Sequence, residues 1–239
     1  MRKIFRFLSL FLLFRIFLPE PGLPASLSDS ARISLLTCSP GREAYSLFGH
    51  TAIRVTDPLQ DVDLAFNFGT FDFNTPNFYL QFIKGRLNYM LSVTSFEQFL
   101  IEYIYENRSV YEQELMISHS EKEILFNKLI ENYRPENRYY LYDFFYDNCA
   151  TRVRDIIASS LESDVHYDYS DYRDELTFRQ LLDPYLVRSP WLDLGIDLAL
   201  GLPADKKAVP WEYMFLPQYI LEIYDKAMLD SGSVSRSFA

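Results

Sequence analysis

The chain has 239 residues and a formal net charge of −10, and 49% of its residues are hydrophobic. This length is enough for one domain with a substantial apolar core, and it is short for two. The acidic balance argues against a nucleic-acid partner, because such a surface repels phosphate backbones. Two cysteines are too few for a disulfide framework, although a bridge between Cys38 and Cys149 is one alternative in an oxidising compartment.

Residues 1–26 have the layout of a secretory signal, with a basic start, an apolar run over residues 7–18, and small residues near the end. Arg15 interrupts the run, so an uncleaved N-terminal anchor is the alternative, although the run is shorter than the ~20 residues that span a membrane. We therefore predict export to the periplasm or cell envelope. One domain is predicted over residues 27–230, followed by a flexible tail over residues 231–239.

Strands alternate with helices in the first half of the chain. The segment 50–55 alternates as a strand does, and Ser118 with Glu121 three residues later forms a capping box at the start of a helix. Predicted strands cover residues 31–37, 50–55, 62–68, 87–93 and 109–117, and predicted helices cover residues 75–85, 95–105 and 118–133.

An aromatic strand over residues 139–145 and a helix over residues 150–161 begin the second half of the chain. The acidic stretch 168–175 is typical of a surface loop. Further helices are predicted over residues 177–186, 192–201 and 209–228, the last interrupted at Pro217. Together these elements predict an α+β fold with an antiparallel sheet, helices on one side of it and a helical C-terminal extension.

Cys149 lies where the aromatic strand gives way to a helix, directly after Asn148. The free N–H groups and dipole of a helix N-terminus stabilise a thiolate, so this position suits a nucleophile. Of the three histidines, His119 lies in the capping box and His166 in the acidic loop, whereas His50 begins a strand that can aim it at a helix end as a base. The alternative is structural: a packed cysteine and a hydrogen-bonded histidine.

Three stretches together resemble the motifs of a bacterial envelope family that has an FGH histidine and an Asn-Cys pair. These stretches are "CSPGREAYSLFGHTAIRV", "FNFGTFDFNTPNFYLQFIKGRLNYMLSV" and "YRPENRYYLYDFFYDNCATRVRDII". The family is also described as the N-terminal periplasmic domain of a lipoprotein N-acyltransferase, and the resemblance spans roughly residues 31 to 220. The order of histidine before cysteine is similar to that of circularly permuted papain-like proteins of the NlpC/P60 and lecithin:retinol acyltransferase types. The resemblance therefore implies a permuted papain-like core.

The same resemblance implies roles for single residues. His50 matches the base and Cys149 the nucleophile. Asn67 is the candidate for the third, orienting polar position, because it lies on the strand that follows that of His50. The alternative for Asn67 is an ordinary polar residue at a strand end, and Asp57 is then the fallback orienting residue.

Further candidates concern substrate. Asn148 and Arg152 are predicted to bind substrate; Arg152, with Arg154, could hold an anionic headgroup or pair with nearby acids. We expect a loop or packing role for Cys38, with a second functional thiol or a disulfide partner as alternatives. Parts of "NFYLQF" or "MFLP" could line an acyl-chain groove. No cofactor is implied, and no cluster of histidine, cysteine and aspartate has metal-ligand spacing.

The implied activity is acyl transfer through a thioester, with a phospholipid as acyl donor and a lipoprotein α-amine as acceptor. Family members with that activity carry C-terminal membrane helices, so the printed sequence is interpreted as a fragment or as a relative with another substrate. Two alternatives differ in class. One is an NlpC/P60-like cell-wall amidase or peptidase, and the other is a non-catalytic envelope module that binds lipid or glycan.

Overall fold

The computed structural model describes residues 23–71, 87–172, 175–187, 189–230 and 235–239. Most of the predicted secretory signal and the helix predicted over residues 75–85 lie outside the described residues.

A six-stranded antiparallel sheet forms the centre of the fold, with strand order β5-β1-β2-β3-β4-β6. Its central strands are buried on both faces, as in the run Thr51 to Ile53, so both faces of the sheet need a cover. The strands are β1 Arg32–Cys38, β2 His50–Asp57, β3 Val62–Phe71, β4 Asn88–Ser95, β5 Val110–Glu114 and β6 Tyr139–Leu141.

Helices supply that cover, and the α+β class is confirmed. The described part of the chain contains seven α-helices: α1 Phe96–Tyr105, α2 His119–Tyr133, α3 Cys149–Ala158, α4 Phe178–Leu186, α5 Pro190–Leu200, α6 Pro210–Tyr213 and α7 Pro217–Asp225. The predicted capping box of α2 is present, with the Ser118 side chain accepting from the Glu121 N–H and the Glu121 carboxylate accepting from the Ser118 N–H.

The prediction that helices lie on one side of the sheet is wrong. Ile53 and Phe66 share a buried cluster with Val153 of α3, whereas their neighbours Ala52 and Ala65 share another cluster with α1. Because successive residues of a strand point to opposite faces, α1 covers the face opposite α3. Small alanines leave room on that face for the aromatic residues of α1.

The tail predicted over residues 231–239 includes a strand in the residues that the structure describes. A second, three-stranded sheet has the order β7-β8-β9, formed by Asp164–His166, Met228–Asp230 and Ser235–Ser237. Phe238 is fully buried beside Tyr224, so an apolar residue fixes the end of the chain to the core.

The pairing between β2 and β3 is incomplete, and this positions the site. β2 pairs with β1 along almost its whole length, starting at His50 opposite Cys38. It pairs with β3 only from Ile53 opposite Phe66 onward, and the register of β3 against β4 shifts between Asn67 and Thr70. A bulge of this kind re-aims side chains at the end of a strand. The start of β2 is therefore open on its β3 side, and α3 packs against both strands.

Candidate active site

The turn into β2 depends on Gly49. Its φ is +82°, in the left-handed region, and a Cβ on it would lie 2.7 Å from the carbonyl oxygen of Cys38. Only glycine adopts this backbone without strain. Phe48 on one side of it packs edge-on against Phe144 and Tyr185. The "FGH" triplet thus anchors the loop, reverses the chain and delivers His50 to the first position of the strand.

Asn148 fixes the start of α3. Its Oδ1 accepts hydrogen bonds from the N–H groups of Ala150 at 2.8 Å and Thr151 at 2.9 Å. Its Nδ2 donates to the carbonyl oxygens of Phe144 and Phe215. The side chain is buried and its amide is fully engaged, so Asn148 acts as the N-cap and offers no free polar group to a substrate. This is a different position from the substrate-facing one expected from the sequence.

The structure brings Cys149 and His50 together, although 98 residues lie between them. Their side chains lie close enough for each to shift the pKa of the other through charge and hydrogen bonding. Burial alone raises the pKa of Cys149, but the charge and hydrogen bond of His50 outweigh it and lower that pKa. Burial likewise opposes the charged form of His50, but the Cys149 thiolate outweighs it and raises the pKa of His50. The two shifts favour a thiolate–imidazolium pair.

Asn67 is the third member of this group. Its Oδ1 lies 2.8 Å from His50 Nε2 and accepts a hydrogen bond from the Gly69 N–H at 2.7 Å. Because the Gly69 N–H can only donate, the amide atom between the two groups is the oxygen. His50 Nε2 therefore carries a proton, and Nδ1 is the ring nitrogen left for Cys149. The candidate orienting residue of the sequence analysis thus fixes both the tautomer and the orientation of the imidazole.

Gly69 was missed by sequence reasoning. A Cβ on this residue would lie 2.3 Å from His50 Cε1 and 3.1 Å from His50 Nδ1. The imidazole therefore lies against the bare backbone of β3. A glycine inside a strand often marks such a close approach, and the "FNFG" stretch carried that signal.

Gly69→Ala is expected to displace the imidazole and to slow the alkylation of Cys149 by iodoacetamide about tenfold or more near pH 6, because the thiolate fraction falls as the ion pair is lost. The matched control is Gly195→Ala in α5, where an added Cβ meets nothing within 4 Å. Equal alkylation rates in the two variants, each folded as judged by circular dichroism, would rule out the contact as a constraint on His50.

Arg152 has an acidic partner. Its guanidinium donates two hydrogen bonds to Asp147, at 2.5 and 2.8 Å, and lies 3.6 Å from the centre of the Tyr140 ring. Of the two uses weighed for Arg152, the structure shows pairing with an acid. Arg154 is also paired, with Asp155 and the carbonyl oxygen of Trp211.

Asp57, the fallback orienting residue, lies at the opposite end of β2, about 23 Å from His50 for an extended strand. Burial opposes its ionisation, but hydrogen bonds from Ser28, Gln60 and the Leu59 N–H outweigh this and lower its pKa to about 2. Asp57 therefore holds the segment around Ser28 and does not reach the site.

Cys38 is buried at the end of β1, and both cysteines are free thiols. Burial raises the pKa of Cys38 to about 12, so it stays protonated at neutral pH. It packs in the α1 cluster with Ala52 and Phe99, which matches the packing role expected for it. The alternative, a disulfide bond between Cys38 and Cys149, does not form.

Aromatic residues lie around the cysteine. The rings of Tyr89 and Tyr142 are stacked 4.3 Å apart, and the Tyr140 hydroxyl donates to the carbonyl oxygen of Phe68. Burial raises the pKa of each of these three tyrosines, so they stay neutral. The predicted groove residues of "NFYLQF" lie outside the described residues, and those of "MFLP" are buried in the core rather than lining a groove.

The described ranges contain no group of histidine, cysteine and acidic side chains that could hold a metal ion. Nor is any of their helices long and apolar enough to cross a bilayer.

Comparison with known proteins identifies one family. No curated protein sequence and no solved structure matches the chain significantly. The model of one family, described as the Lnb N-terminal periplasmic domain, matches residues 25–184, which is about two thirds of the chain and includes His50, Asn67 and Cys149. This match supports a periplasmic location. The chain therefore belongs to the family of the Lnb N-terminal periplasmic domain.

Proposed function

We propose that the chain is a periplasmic cysteine acyltransferase that carries its acyl group as a thioester on Cys149. The observation that supports this most strongly is the chain of contacts from Cys149 through His50 to Asn67, at the N-terminus of a helix. A nucleophile, a base and a group that orients the base are the three parts that acyl transfer through a covalent intermediate needs.

In the first half-reaction, the Cys149 thiolate attacks the carbonyl carbon of a phospholipid ester and forms a C–S bond. The C–O bond to the glycerol oxygen then breaks, and His50 transfers its Nδ1 proton to that oxygen. The products are a lysophospholipid and a thioester. In the second half-reaction, a lipoprotein α-amine attacks the thioester, neutral His50 takes a proton from the nitrogen, and breakage of the C–S bond restores the thiolate.

The oxyanion of each tetrahedral intermediate needs a donor. The N–H groups at the start of α3 are the candidates, but Asn148 Oδ1 already accepts from those of Ala150 and Thr151. The N–H of Cys149 itself has no acceptor among the described residues. We assign the oxyanion to this N–H, which also lies at the positive end of the helix dipole.

The fold that accompanies this function is a circularly permuted papain-like core. It is supported by the placement of His50 at the start of a strand and of Cys149 at the start of a later helix. We further propose that residues 1–26 direct export, that the donor is a phospholipid and that the acceptor is a lipoprotein amine. These three statements rest on the N-terminal sequence pattern and on the family resemblance.

The test is turnover of two substrate classes by the purified protein. Release of lysophospholipid from diacyl phospholipid, increased by a peptide that bears an S-diacylglyceryl cysteine, supports the acyltransferase. Cleavage of peptidoglycan fragments without any lysophospholipid release would instead identify a cell-wall amidase, which could use the same three residues. Absence of both activities would favour a non-catalytic envelope module.

A further inference from the structure

Thr51 follows His50 in β2 but points to the other face of the sheet. It lies opposite Thr37 of β1. Two positions away on the same two strands, Ile53 lies opposite Leu35, and both belong to the cluster that α3 covers. Because side chains alternate along a strand, Thr51 also faces the helix that begins with Cys149.

The surroundings of Thr51 are closed. The residue is completely buried, and its Oγ1 has no hydrogen-bond partner of normal geometry among the described residues. A buried hydroxyl of this kind destabilises the fold when it stays unpaired, so its presence calls for an explanation. On the β3 side the strand pairing begins only at Ile53, so the backbone of Thr51 is also open there.

Cys149 begins the helix that packs against β2 on this face. Both the N–H and the hydroxyl of Thr51 are close enough to Cys149 to favour the charged form of its Sγ. A neutral thiol is a weak acceptor, whereas a thiolate accepts several hydrogen bonds. The hydroxyl that is unpaired beside a thiol therefore acquires a partner when the thiol loses its proton.

We propose that Thr51 is a thiolate-stabilising residue, which donates hydrogen bonds from its N–H and its hydroxyl to Cys149 Sγ in the charged state. This inference rests on the proposed role of Cys149 as the nucleophile. Sγ then has partners on two sides, His50 at the edge of the sheet and Thr51 on the face below α3. The two consecutive residues of β2 thus hold the sulfur between them.

Other ionisable groups also act on Cys149 or on its partner. The tyrosines around Sγ are neutral, and the buried Cys38 thiol is protonated, so neither adds a charge. Arg108 lowers the pKa of His50 but is not changed in the test below. Among the described residues these groups include His50 on β2, Tyr89 on β4, Tyr140 on β6, Tyr142 after it, Cys38 on β1 and Arg108 after α1.

The test is the pH dependence of Cys149 alkylation by iodoacetamide, followed by mass spectrometry of the peptide that contains it. Thr51→Val keeps the shape of the side chain and removes the hydroxyl. We expect the midpoint of the profile to rise by about one pH unit, which is a roughly tenfold slower reaction at pH values below the midpoint. The plateau at high pH should be unchanged or faster, because a less stabilised thiolate is more nucleophilic. Thr51→Ser should restore the wild-type midpoint.

Thr37→Val is the matched control, because Thr37 is a buried threonine on the same face whose hydroxyl also has no partner among the described residues. A wild-type midpoint in Thr51→Val, or an equal shift in Thr37→Val, would overturn the proposal. If the valine variant does not fold, Thr51→Ala, which only removes atoms, gives the same comparison. The measurement uses no acyl substrate, so a negative lipid assay would count against the proposed function and leave this result standing.

Discussion

Cys149→Ser is expected to keep the fold and to lose lysophospholipid release by about a thousandfold or more. The change replaces one atom, and the cap of α3 by Asn148 does not involve the sulfur. A serine hydroxyl does not ionise near neutral pH, so the lowered pKa that makes Cys149 a nucleophile has no equivalent. The measurements are the release rate and the thermal unfolding midpoint of the purified variant.

Cys38→Ser is the control for this experiment. Cys38 is buried, and its high pKa keeps it protonated, so most of the activity should survive even if stability falls. The opposite pattern, with activity lost in Cys38→Ser and kept in Cys149→Ser, would transfer the chemistry to the "CSPG" stretch and refute the assignment.

His50→Ala is expected to reduce turnover by a similar factor, and the double variant His50→Ala/Cys149→Ser should lose little more than either single variant. The reason is that the two side chains form one unit, in which the thiolate without its base is no longer poised for attack. His119→Ala provides a control, because His119 lies at the start of α2, partly exposed and 3.9 Å from Asp29. Losses that multiply in the double variant would show that the two residues act independently.

The alkylation profile of the same variants gives the sign of the electrostatic effect. His50 is the main cause of the lowered pKa of Cys149, and it acts against the effect of burial. The wild-type thiolate should therefore persist at pH values below about 8.5, the pKa of a free thiol. Its reactivity then falls as the pH decreases through that lowered pKa. In His50→Ala, burial still disfavours the thiolate, but the positive charge of the imidazolium is absent. The midpoint of the alkylation profile should therefore move above that of a free thiol.

Cys149 and His50 could be predicted from the sequence because each lies beside a recognisable local pattern. The helix after Asn148 and the strand after Gly49 are both visible as periodic segments, and each places one reactive side chain at its first residue. Asn67 could also be predicted, because it lies on the predicted strand that follows that of His50.

Other features depend on contacts between distant segments, and a local pattern does not identify the residue that is contacted. The contact of Gly69 with the His50 ring follows from the bulge in β3, and the opening beside Thr51 follows from the register of β2 against β3. The position of α1 on the opposite face follows from the small side chains of Ala52 and Ala65, which the alternation pattern treats as any other apolar residue. The burial of Phe238 likewise depends on its contact with Tyr224, which the polar residues before it do not indicate.

The most direct test of the acyltransferase proposal is the intact mass of the protein after incubation with phospholipid and no acceptor. We expect the wild-type protein to gain the mass of one acyl group, located on the peptide that contains Cys149 and released by neutral hydroxylamine, as a thioester is. The Cys149→Ser variant should not gain a hydroxylamine-labile group. An unchanged mass in a protein that releases lysophospholipid, or an acyl group on Cys38, would contradict a thioester on Cys149.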